Sequence, residues 1–325
     1  MSYRLQIIDF LRGFSIFTIV LMHLIQSYSI PNWLYKITSF GGAGVHVFIL
    51  CSGFGLYVSH INKPLSYQAF LKRRFGRIYW PMAIACLLTA AWMAFQGKDW
   101  LIPLISNLFL FKMFVPQLEC SMGGHMWFIS TIIQFYLAWP LIVKLMKIKS
   151  GGWIALAISL LWSTIVAWLG YSEERVWNSF FLQYLWEFCL GIKLAELYVK
   201  TPSLLNTLPC IQLVLICVVG IVLTGLTGWL GFPWRLYNDI PSLMGYTSLA
   251  LIIYQTKIGA INNLFRNINK CSYEWYLIHV LAFQIVVYIL NGTSPLFIEV
   301  VACLLFSYIS ALCFAKLLNN RFFKS

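Results

Sequence analysis

Ten runs of apolar residues constrain this chain more than any other feature. They fall at about 7–28, 43–60, 78–95, 125–146, 152–170, 179–198, 210–231, 240–256, 273–290 and 295–317. A helix needs roughly 20 residues to cross the hydrocarbon core of a bilayer, and each run is near that length. Of the 325 residues, 60% are hydrophobic and 10% charged, against about 25% charged in a soluble domain. So few charges cannot cover a water-facing surface. The expected fold is an all-α integral membrane protein, with about ten transmembrane helices around a polar cavity, in a single domain over residues 1–325. The shorter stretch WLIPLISNLFLFKMFV (100–115), which contains Pro103, is expected to be interfacial or re-entrant.

Ten crossings put both termini on one side, and the positive-inside rule selects which. With cytoplasmic termini, 17 Lys and Arg residues fall at cytoplasmic ends and 5 in the outer loops (Lys36, Lys98, Lys112, Arg175 and Arg235), with Arg12 left inside a helix. The net charge of +13 thus reads as orientation and contact with membrane lipids, and no nucleic-acid partner is expected. The nine cysteines form no CxxC pair and no metal-ligand spacing. Most lie in apolar runs, where a thiol behaves as a small apolar group, so neither a disulfide framework nor a metal is expected. The first run holds Asp9, Arg12 and His23 with no small-residue cleavage site after it, so no cleavable signal peptide is expected.

That first run, IIDFLRGFSIFTIVLMHLIQ (7–26), raises the functional question. A charged group inside a bilayer costs at least a few kcal/mol and is functional by default. At about 100° per residue, Arg12 and His23 come within about 20° of each other, and Asp9 lies about 60° and 40° from them. The three share one stripe, spread along roughly 20 Å, which should face a cavity and not lipid. The structural alternative is an Asp9–Arg12 pair beside a hydrogen-bonded His23.

Other stretches carry weaker signals. GGAGVHVFILCSGFGLY (41–57) supplies small residues, Ser52 and Gly53 among them, for close approach of a helix or of a ligand. FLKRRFGRIYWP (70–81) places Arg73 and Arg77 four apart on one face, with Arg74 beside them. The cluster serves either as a membrane anchor or as a phosphate clamp, since arginine binds phosphate bidentately. GHMWFISTIIQFYLAWP (124–140) opens with His125 and Trp127; the tryptophan suits an interfacial anchor. Glu187 lies within the sixth run, and Lys193 points to another face, so it has no evident partner there. SYEWYLIH (272–279) sets Ser272, Tyr276 and His279 on one helix face.

Taken in order, these stretches resemble the membrane acyltransferase family 3 of bacteria, ten-helix proteins that O-acylate surface polysaccharides, lipopolysaccharide and peptidoglycan. Four blocks carry the resemblance: Asp9, Arg12 and Gly13 with His23; GVHVFILCSGF; RRFGRIYWP; and SYEWYLIH. It covers essentially the whole chain. The resemblance implies an O-acyltransferase of the inner membrane, with His23 as catalytic base and Arg12 essential beside Asp9. It implies an acyl-coenzyme A donor, acetyl-CoA first, taken from the cytoplasm. Arg73, Arg77 and Arg74 would stand at its phosphates, with Ser52 and Gly53 as further donor-site candidates. The acceptor would be a hydroxyl of a cell-surface or lipid-linked carbohydrate such as O-antigen or exopolysaccharide. Glu187, His125, Trp127, Ser272, Tyr276 and His279 are candidates to line its cavity.

One departure stands out. Many members carry two acids in the fourth span where this chain has Ile132 and Ile133, so no carboxylate acts there. The His125–Phe128 stretch is similar instead to a branch that includes enterobacterial-antigen acetyltransferases and exopolysaccharide-modifying proteins. No fused extracytoplasmic domain is expected after the tenth run. Two rivals remain open at the level of sequence: a permease for a small carboxylate or a lipid-linked sugar, and a lipid-binding partner of a polysaccharide synthase.

Overall fold

The computed structural model describes residues 5–201, 209–291 and 295–322, with side chains of the final helix as far as Leu318. The chain ends, whose side of the membrane the charge bias addresses, lie outside the described residues. Those residues are helical, with no strand among them: α1 (Gln6–Gln26), α2 (Asn32–Ser39), α3 (Gly44–Asn62), α4 (Tyr67–Phe95), α5 (Leu101–Leu108), α6 (Trp127–Met146), α7 (Gly151–Trp168), α8 (Arg175–Asn178), α9 (Leu185–Lys200), α10 (Cys210–Leu230), α11 (Asp239–Gln255), α12 (Gly259–Ile268), α13 (Ser272–Leu290) and α14 (Leu296–Phe322).

Eight helical stretches among the described residues are long and apolar enough to cross a membrane: Gln6–Gln26, Asn32–Asn62, Tyr67–Phe95, Gly124–Met146, Gly151–Trp168, Cys210–Leu230, Gly259–Leu290 and Leu296–Leu318. The two expected spans that fall short are α9, with 16 residues, and α11, with 17. The shortening at α9 has a physical cause. Residues 179–184 form turns instead of extending the helix, and side chains satisfy the freed backbone. Gln134 Oε1 accepts from Phe181 N–H (3.1 Å), Ser159 Oγ accepts from Trp186 N–H (3.2 Å), and the Thr131 hydroxyl donates to Ser179 O (2.6 Å). Irregular backbone within an apolar chain survives where protein groups replace the missing helix bonds. The expected interfacial piece 100–115 contains only the eight-residue α5 before the chain turns.

The chain divides into two compact units, each assembled from distant segments. One comprises Met1–Gly42, Ile78–Met126 and Gly259–Ser325; the other comprises Ala43–Arg77 and Trp127–Ile258. Glycine allows the closest helix contacts in both. In the first unit a Cβ on Gly13 would stand 1.8 Å from the Phe265 carbonyl oxygen, so α1 and α12 meet backbone to backbone. Around that contact Phe10, Phe14 and Phe17 pack their rings on Phe265. In the second unit Gly53 meets Phe188 O and Gly191 meets Leu50 O in the same way, locking α3 to α9. Small residues at such contacts are the general device for helix association in lipid, where the hydrophobic effect between helices is absent. The nine cysteines are free thiols.

Candidate functional site

The phenylalanine face of α1 is committed to α12, which leaves Asp9, Arg12 and His23 on the rest of the helix. At its beginning Asp9 Oδ1 accepts a hydrogen bond from Asn269 Nδ2 (2.7 Å), and Ser272 Oγ lies 3.5 Å from Asn269 Oδ1. Ser272, expected to line a cavity, is therefore buried in the polar network at the Asp9 end of the helix.

Near the other end of α1, three histidines come together. The ring centroids of His23 and His279 are 5.3 Å apart, those of His23 and His125 6.0 Å, and those of His125 and His279 4.7 Å. His23 is half-buried; His125 and His279 are 6% and 0% exposed. His279 Nδ1 faces the carbonyls of Tyr276 (2.8 Å) and Trp275 (3.1 Å). Carbonyls only accept, so Nδ1 carries the proton and the neutral ring presents a bare Nε2. That Nε2 is buried without a hydrogen-bond partner among the described residues, as is Nε2 of His125.

The loop before α6 is shaped to hold His125. The Tyr276 hydroxyl donates to the His125 carbonyl oxygen, and the two rings meet edge to face at 5.3 Å. Gly123 has a φ of +105°, and a Cβ there would stand 2.5 Å from the His125 ring, so only glycine fits. Lys112 is buried and donates to Ser121 O (2.8 Å) and Gly123 O (3.1 Å), closing the loop from beneath. Burial pulls its ammonium down to about 8 from the usual lysine value. The sequence marked Lys112 only as an outer-loop charge; its structural role shows once the loop is closed.

In the second unit Glu187, for which the sequence offered no partner, has one. His46 Nδ1 lies 2.7 Å from Glu187 Oε1, and His46 Nε2 lies 3.8 Å from Asp239 Oδ1. Gln183 Nε2 donates to Asp239 Oδ2 (2.7 Å) and Leu236 O (2.7 Å). One ligand atom from each of His46, Glu187 and Asp239 could converge on a metal ion. His46 and Asp239 escaped the sequence reading. The test that singled out Glu187, an ionisable group in an apolar run, applies equally to His46.

Trp127 follows His125 closely in sequence, yet it belongs to the second unit. Its ring stacks on Tyr184 (5.7 Å) with the Arg175 guanidinium 5.6 Å above it. Ser52 Oγ donates to Phe48 O of its own helix (2.7 Å), and Gly53 forms the α3–α9 contact described above. Arg73 and Arg77 are exposed and Arg74 is half-buried, all in the N-terminal half of α4. The structure thus gathers His23, His125, His279 and Tyr276, joins Asp9 to Ser272 through Asn269, and builds Glu187 into a separate cluster.

A family model described as an acyltransferase domain matches residues 5–316. No curated protein and no solved structure matches the chain.

Proposed function

Because the chain belongs to the membrane acyltransferase family 3, we propose that it moves an acyl group, acetyl first, from cytoplasmic acyl-coenzyme A to a hydroxyl of a cell-surface or lipid-linked carbohydrate. One observation carries the reading. His23 sits on the helix of Asp9 and Arg12 and is the half-buried member of the three-histidine cluster, the other two being enclosed. A base must reach the proton that it removes, and His23 is the ring best placed to meet a substrate.

In this mechanism the basic start of α4 receives the donor. Arg73 and Arg77, one turn apart, fit its phosphates by charge-assisted hydrogen bonds, and Arg74 adds positive charge. Neutral His23 takes the proton of the acceptor hydroxyl as that oxygen attacks the thioester carbonyl. The C–S bond breaks, and the departing coenzyme A thiolate takes the proton from the imidazolium. Base catalysis of this kind is typically worth ~10²–10⁴-fold. Arg12 stabilises donor charge, and Asp9, anchored by Asn269, orders that end of the helix. A polar helix supplies the route that joins a donor made in the cytoplasm to an acceptor displayed outside. Cytoplasmic termini and an inner-membrane location complete the proposal.

The deciding experiment is turnover. Purified protein with labelled acetyl-coenzyme A should release coenzyme A and label a glycan acceptor, and surface glycans from a deletion strain should lose one acyl mass. A protein that is folded but releases no coenzyme A with any acceptor would point to transport instead.

A further inference from the structure

Four helices of the second unit bring their first turns together around His46. It is the third residue of α3, Glu187 the third of α9, Asp239 the first of α11 and Trp127 the first of α6. Carboxylates are favoured there, because the unpaired N–H groups of a first turn carry partial positive charge. That accounts for the acids being tolerated, but not for how they are arranged.

Exposure falls steadily through the group. Arg175 is exposed and Trp127 half-buried. Below them His46 and Asp239 are 15% and 14% exposed, and Glu187 is 0% exposed. Tyr184 links the two halves, with its ring 5.7 Å from Trp127 and 5.9 Å from His46. At the floor Glu187 Oε2 is buried with no hydrogen-bond partner among the described residues. A buried carboxylate oxygen left without a donor calls for an explanation, and a hydroxyl of a bound molecule supplies one.

The geometry points to a binding site for a polyhydroxylated ring in the second unit, with Trp127, backed by the buried Tyr184, as the apolar plate and Glu187, His46 and Asp239 as hydroxyl partners. Ligand sites pair aromatic walls with a few convergent polar groups, and carboxylates accept while imidazole and guanidinium donate. The choice of a sugar as ligand rests on the acyl-acceptor reading above; the residue constellation does not. A divalent cation fits less well. Glu187 already occupies one nitrogen of His46, and Gln183 one oxygen of Asp239. That leaves one free atom on each of the three residues, the minimum that a protein zinc site uses, and the aromatic plate would have no part in it.

Saturation-transfer NMR on the full-length protein in detergent, with methyl glycosides of common surface sugars, tests the assignment. At least one glycoside should bind, and Trp127→Ala, Asp239→Asn and Glu187→Gln should each weaken it by about tenfold or more, as expected when a charge-assisted hydrogen bond or a stacking plate is lost. Trp127→Ala lies at the half-buried rim and keeps the test valid if a floor variant fails to fold. Trp153→Phe, on an exposed face of α7, serves as the control and should change nothing. Failure of every glycoside to bind overturns the assignment, as does binding that the three variants leave intact. Tight Zn²⁺ or Mn²⁺ binding lost in Asp239→Asn, without glycoside binding, overturns it in favour of a cation site. Glycoside binding without coenzyme A release would sink acyl transfer and leave this site standing; turnover without glycoside binding would do the reverse.

Discussion

The two polar clusters solve the same problem in opposite ways. Each buries imidazole in a largely apolar chain. In the first unit three histidines pack together, and the nearest hydrogen-bonding groups are backbone carbonyls and a tyrosine. In the second unit one histidine stands between two carboxylates. In the first unit His125 and His279 each keep a bare ring nitrogen among the described residues, whereas the flanking acids face both ring nitrogens of His46. The first arrangement suits a base that must accept a proton. The second suits a fixed site that holds and orients. In the proposed function the contrast gives catalysis to His23 and binding to the His46 group.

The comparison breaks most visibly at His46. His46→Ala removes the counter-charge of a fully buried carboxylate, and breaking such a pair costs roughly 3–5 kcal/mol. His279→Ala strands no charge and should cost less, about 1–3 kcal/mol from lost packing and hydrogen bonds. Thermal unfolding in detergent should rank His46→Ala well below His279→Ala. A double variant, His46→Leu with Glu187→Leu, should recover much of the loss, and strict additivity of the two changes would refute the coupling. A smaller effect is expected at the donor end. Arg73→Ala and Arg77→Ala should each raise the donor KM about tenfold or more, since each removes a phosphate contact of roughly 1.5–3 kcal/mol. An unchanged KM in both would make them membrane anchors.

A further effect separates the clusters by pH. Lys112, beneath the His125 loop, has a folded value near 8 against 10.5 when free. Between those values the unfolded chain holds more protons, so stability rises with pH across the window. Between pH 8 and 10 the wild type should gain roughly 2 kcal/mol relative to Lys112→Met. Parallel pH curves for the two proteins would show that Lys112 is solvated.

Much of this organisation could be read from sequence, and the gaps have physical causes. Apolar runs reveal helices because backbone in lipid must satisfy itself, so each expected span corresponds to a helix. The runs overstate length where side chains take over backbone bonding, as Gln134 and Ser159 do before α9. His23, His125 and His279 could each be singled out as an ionisable group near or within a span. Their meeting could not be, since three separate helical segments supply them. Glu187 announced itself as a lone acid, but His46 lay hidden among the apolar residues of α3 and Asp239 at the edge of its run. A histidine beside valines looks like packing until its partners are known. Ser52 and Gly53, read as possible ligand contacts, have their hydroxyl bonded within α3 and their open face filled by α9.

His23→Gln tests the central claim most directly. Glutamine keeps a hydrogen-bonding group but cannot take up a proton at neutral pH. Coenzyme A release by purified wild type and by the variant, at saturating labelled acetyl-coenzyme A and acceptor, should differ by about 10²-fold or more in kcat. Yield, folding and donor affinity should be preserved. Wild-type turnover in His23→Gln would make His23 a packing residue and move the search for the base to His279 and His125.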